Sequence, residues 1–211
     1  LSGDITGTGG VLTKQNTGKL TLTGTNSYTG GTNLTAGVLN LGSADAIGST
    51  GTIDLGGGTL QYSANNDTDY SDRFATTGQT YNIDTNGRDV TFATALTSTT
   101  AALTKLGAGI LTLAGANTFE GDITVSAGGL TVTGTLDNVD ATTGSYAGAI
   151  SLTGNLTINS SATQTLSGAI TGTGSFTQAG DGETILTSTS NSYTGATTIS
   201  AGTLRVGDSV T

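Results

Sequence analysis

The 211 residues include no cysteine, proline, methionine, tryptophan or histidine. Without cysteine there is no disulfide, so backbone ladders and core packing must hold the fold. Without histidine or cysteine, imidazole-based triads, thiolate nucleophiles and the usual zinc sites are excluded. Charge is scarce too. Only 10% of residues are charged, and the six basic ones (Lys14, Lys19, Arg73, Arg88, Lys105 and Arg205) are scattered singly in a chain of net charge −9. That field repels nucleic acid and anionic lipid, so neither is an expected partner. No apolar run is long enough to cross a membrane, and direct membrane insertion is not expected. The chain opens on Leu1 rather than methionine, which reads as an internal stretch of a longer or processed protein.

What is present is a β composition. Glycine contributes 35 residues and hydrophobic residues 34%, with Gly, Ser and Asn for turns and Val, Ile, Leu, Thr and Tyr for strands. No segment carries helical periodicity. Apolar residues instead alternate with polar ones in runs of three to five, as at Ile53 and Leu55, Leu60 and Tyr62, Tyr81 and Ile83, and Leu156 and Ile158. Such alternation buries one side of a strand and wets the other, which argues against a disordered Gly/Ser chain.

A repeat organises these runs. Residues 18–42, 109–133 and 183–207 align without a gap, so that Asn26, Asn117 and Asn191 coincide, as do Tyr28, Phe119 and Tyr193. The Ala-Gly pairs beginning at Ala36, Ala127 and Ala201 coincide as well. Each unit reads as strand, polar turn, strand, Ala-Gly turn, strand. Hairpin signals are scarce, Asn86-Gly87 being the one Asn-Gly pair, whereas Thr-Gly, Ala-Gly and Gly-Gly corners recur. Short strands bending at small corners suit a solenoid better than a sandwich or barrel. Rungs stacked about 4.8 Å apart would then number about nine.

At these units the sequence resembles the autotransporter-associated β-strand repeat, also called the passenger-associated transport repeat. The stretch from Lys105-Leu106-Gly107 through Leu130 carries the resemblance best, with a lead-in, a Leu-Thr-Leu strand, an Asn-Thr-Phe turn and an Ala-Gly close. Residues 58–92 resemble the spacer between such repeats. Glu120-Gly121-Asp122 departs from the usual Thr-Gly-Gly turn, and the third unit lacks the glycine found at Gly24 and Gly115. The resemblance implies an all-β, right-handed parallel β-helix exported to the bacterial surface or beyond, usually ahead of a C-terminal translocator barrel. Residues 1–211 are expected to be one solenoid segment, an excerpt of a longer repetitive chain.

Candidate chemistry is thin. Glycosidase-type catalysis needs a carboxylate pair, but the acidic residues are 13 Asp and two Glu, and Glu120 and Glu183 both fall at repeat corners. No catalytic residue and no cofactor is assigned. The densest polar cluster, residues 65–72, offers Asp67, Asp69 and Asp72 as a candidate calcium site. The competing reading is a loop thrown out between rungs. Tyr28, Phe119 and Tyr193 are read as core aromatics, with sugar stacking the alternative. The repeat asparagines lie too far apart in sequence for a ladder. The Thr-x-Thr triplets at 21–23, 131–133 and 171–173 do not march at one rung length, so no flat threonine array is expected.

The expected function is therefore an extracellular structural or adhesive rod. Its partners would be other copies of itself, end to end or laterally, or cell-surface carbohydrate. A carbohydrate-binding module is the second reading and a polysaccharide-degrading enzyme the third.

Overall fold

The computed structural model describes residues 1–137 and 144–207. Every ladder between named strands is parallel, and the strands stack as a β-solenoid of about nine turns. One face is an eight-stranded sheet running through Lys19–Leu22, Val38–Leu41, Thr59–Gln61, Tyr81–Asp84, Leu103–Leu106, Ile123–Val125, Ile150–Leu152 and Ile170–Gly172. A second face is six-stranded, through Val90–Phe92, Ile110–Leu113, Gly129–Val132, Asn155–Ile158, Phe176–Gln178 and Thr197–Ile199. The third is assembled in pieces. Leu12–Lys14, Thr32–Leu34 and Ile53–Asp54 form its start, Ala116–Asn117 pairs with Thr135–Leu136, and Ser145–Tyr146, Gln164–Leu166, Glu183–Leu186 and Thr203–Val206 form its end.

Most rungs take 19 to 23 residues, from Leu111 opposite Leu130 to Thr59 opposite Asn82, whereas the rung between Ile123 and Ile150 takes 27. The single helical turn among the described residues, Ser71–Arg73, belongs to the excursion between Gln61 and Tyr81.

Alternation does what it should. Leu20, Leu39, Leu60 and Ile83 lie in one register column, and Leu111, Leu130, Leu156 and Phe176 in another, so like residues stack up the interior. Aromatic rings continue that packing: Phe74 meets Phe92 edge-on at 5.3 Å, and Phe119 meets Tyr81 at 6.1 Å and Tyr146 at 5.8 Å. Edge-on contacts of this kind add to plain burial.

The three repeat units do not lie above one another. The first strand of each unit is Lys19–Leu22, Ile110–Leu113 and Glu183–Leu186. They fall on the eight-stranded face, the six-stranded face and the third face in turn. The middle strands, Thr32–Leu34, Ile123–Val125 and Thr197–Ile199, shift in the same sense. Each unit thus advances by several whole rungs plus one face. The repeat unit is local chemistry that works on any side of the rod.

Candidate binding surface

That local chemistry starts from the lead-in residue. Lys105 stands in an inward column between Ile83 and Val125 and is fully buried. Its stem packs as a hydrocarbon while its ammonium donates to the carbonyls of Leu106, Gly107 and Ala127 at 2.9, 2.8 and 3.2 Å. Lys14 repeats the arrangement with Gln15, Asn16 and Ala36. In the third unit Gln178 takes the place of lysine and donates to Gly180 and Gly182. The Ala-Gly turn of the following rung closes over this cage. Gly128 has φ +64°, and a Cβ there would lie 2.2 Å from the Gly109 carbonyl oxygen and 3.0 Å from Lys105 Nζ. Burial lowers the Lys105 ammonium to about 8, against the pull of Asp84 and Asp89.

The repeat asparagine ties neighbouring rungs together. Asn117 Oδ1 accepts the Leu96 N–H of the rung before, and its Nδ2 donates to Gly115 and to Thr135 of the rung after. Asn26 does the same between Ile5 and Ala46. Asn191 keeps the bond from Ile170 but spends its amide on Ser188 of its own turn. These asparagines form no ladder with one another, in line with the expectation from their spacing.

The repeat aromatics are core residues. Tyr28 and Phe119 are buried, and the half-buried Tyr193 packs on the same core, 6.4 Å from Phe176.

The candidate calcium ligands lie in the excursion after Gln61, where their oxygens face separate partners. Asp67 pairs with Arg88 at 3.3 Å. Asp69 accepts the Ser71 N–H through Oδ1 and the Ala93 N–H through Oδ2, both at 2.8 Å. Asp72 is exposed within the Ser71–Arg73 turn. No group of three acidic residues gathers at metal-ligand geometry among the described residues. The excursion is pinned to the rod instead, because Arg73 donates to the carbonyls of Gly51 and Thr50, and Asn66 to those of Ser43 and Ala44. Burial lowers the Arg73 guanidinium, with the Tyr70 ring 5.8 Å beneath it. A shallow cavity of about 510 Å³ between the excursion and the rod is lined by Asp45, Asp69, Tyr70, Asp72 and Arg73.

The most regular surface was not expected. On the six-stranded face Thr91, Thr112, Thr131, Thr157, Thr177 and Thr198 stand in direct register, one per rung. A shorter row of Thr104, Thr124, Ser151 and Thr171 runs up the eight-stranded face. The expectation of no threonine array is thus corrected. The row takes one threonine per rung at uneven sequence steps, and corners of different length absorb the difference. Thr-x-Thr triplets are not its signal; a Thr between two inward apolar residues, as at Thr91, Thr112, Thr131 and Thr157, would have been.

Comparison with known proteins agrees with the architecture. The chain is 38% identical over 138 residues to the adhesin BmaC autotransporter of Brucella suis biovar 1 (strain 1330), an alignment covering 64% of this chain and 4% of that protein. No solved structure matches. The profile of the passenger-associated transport repeat matches residues 12–41, 103–132 and 176–206. Each match runs from a lead-in strand whose third residue is Lys14, Lys105 or Gln178, through the asparagine turn, to the strand after the Ala-Gly turn. The chain carries three passenger-associated transport repeats, each a self-contained corner chemistry of the same β-solenoid.

Proposed function

We propose that this chain is a stretch of an extracellular rod whose role is structural and adhesive rather than catalytic. The observation that carries the reading is the parallel stack, in which the asparagine of every repeat unit accepts a backbone N–H from the rung before and so ties rungs together. The likeness to an autotransporter adhesin supports a surface location and an adhesive role. The chain spans 4% of that relative's length, so the activity of the whole protein is part of the proposal. The acidic composition suits a rod that stays soluble outside the cell and binds by shape and hydrogen bonds instead of by charge.

Display of the 211 residues on a non-adherent bacterial host, fused ahead of a translocator barrel, tests this. Protease-accessible display with increased attachment to abiotic or cell surfaces is the expected result; display without any gain in attachment would remove the adhesive part. Self-association belongs to the same proposal. Rods stacking end to end or side by side would show a mass that grows with concentration in light scattering, and a constant monomer mass would eliminate it.

A further inference from the structure

The threonine row of the six-stranded face is a surface that the rod does not need for its own hydrogen bonding. Its six hydroxyls make no hydrogen bond to any described residue, whereas Thr35, Thr85 and Thr184 each bond to the protein. The residues two positions further on, on the same side of the sheet, are Ala93, Ala114, Thr133, Asn159, Ala179 and Ser200. None of them is charged, and all are small. Two positions before the row, Asp89 is the one charged residue, and its Oδ1 is taken by the Ile110 N–H. The third face differs: its outward line passes from Thr165 to Ile185 to Arg205, which pairs with Glu183 at 3.0 Å.

We propose that this face is a docking surface for an extended, uncharged polysaccharide lying along the rod axis. Each hydroxyl is both donor and acceptor, the pairing that sugar hydroxyls ask for. Each threonine methyl beside it offers an apolar contact for the C–H face of a ring. Stacked strands repeat at about 4.8 Å, close to the advance of one sugar in an extended β-linked chain, so consecutive rungs meet consecutive sugars. The one charge beside the row, on Asp89, is negative, which favours a neutral glycan over an anionic one. Single hydroxyl contacts are weak, and a row of six acting on one chain gains by effective concentration. The long rung leaves the row unbroken, Thr131 standing in register with Thr157 although 26 residues separate them.

This inference deepens the adhesive reading above and rests on it. The alternative is that threonine recurs only because a β-branched residue suits an outward strand position. Valine separates the two, keeping the branch and removing the hydroxyl. Retention of the 211-residue protein on microcrystalline cellulose, insoluble xylan and insoluble mannan is compared with a variant carrying Thr112→Val, Thr131→Val, Thr157→Val and Thr177→Val. The expected result is retention of the parent on at least one of these probes, reduced at least tenfold in the variant, with unchanged far-ultraviolet circular dichroism and melting temperature. Thr104→Val with Thr124→Val, on the neighbouring face, serves as the control and leaves retention unchanged. Equal retention of parent and variant, or no retention of the parent on any probe, overturns the proposal. So does ice shaping by the parent without glycan retention, which would assign the row to ordered water. Failure here with attachment of displayed cells intact sinks the threonine face alone; loss of attachment sinks the adhesive reading itself.

Discussion

Tyr28 and Thr32 share a buried hydrogen bond of 2.8 Å between phenol and hydroxyl, and the repeat preserves or deletes that bond as a pair. Tyr193 and Thr197 make it again at 2.7 Å. Where the second unit has Phe119, Ile123 stands four residues on, and both are fully buried. The two polar groups are kept together or replaced together by apolar ones, as expected when an orphaned buried hydroxyl costs more than an absent one.

Thr32→Ile alone is therefore expected to destabilise the rod by about 1–3 kcal/mol, because the buried Tyr28 phenol loses its hydroxyl partner. Adding Tyr28→Phe should recover most of that loss, and a double-mutant cycle by urea unfolding reads the coupling directly. Tyr62→Phe is the contrast: its hydroxyl is already buried without a partner, so its removal should be neutral or stabilising.

Lys105 links stability to pH. Its ammonium sits near 8 in the fold, below the ordinary lysine value, so between about pH 8 and 10.5 the unfolded chain holds a proton that the folded chain has released. Stability should rise with pH across that window for this group, and below pH 8 its contribution should be flat. Lys105→Met is expected to remove the rise. At pH 7 the same change should cost about 2 kcal/mol, since three carbonyls lose a charged donor. Chemical unfolding of parent and variant at pH 7, 8, 9 and 10 tests both statements.

Asn117→Ala should open the corner locally, by about 2 kcal/mol, because one side chain bonds to three successive rungs. Asn191→Ala should cost less, since that amide reaches only its own turn. Hydrogen exchange at the Leu96 and Ile170 amides, which lose their acceptors in the two variants, reports the difference. Equal acceleration at the two sites would count against the bridging role of Asn117.

Gly128→Ala places a methyl against the carbonyl cage of Lys105 at positive φ, and a loss above about 3 kcal/mol is expected. Gly78→Ala has the same backbone strain, at φ +69°, but meets nothing within 4 Å, so about 1 kcal/mol should be its whole cost. Melting temperatures of the two variants separate steric crowding from backbone strain.

The strand positions, the inward and outward residues, the small-residue corners and the three repeat units were legible in the linear chain, because each depends on neighbours within a few residues. Period-two alternation sorts Leu111 from Thr112 without reference to any other rung, and the coincidence of Asn26, Asn117 and Asn191 follows from simple alignment. What the tertiary structure alone decided is vertical. Rungs of 19 to 27 residues let each corner absorb its own length. Sequence distance therefore does not tell which residue lies above which. That is why the threonine row was not foreseen and why the repeat units prove to be turned by one face from each other. It is also why Lys105, a lone cation in the sequence, lies buried: its acceptors include Ala127, one rung further along the stack.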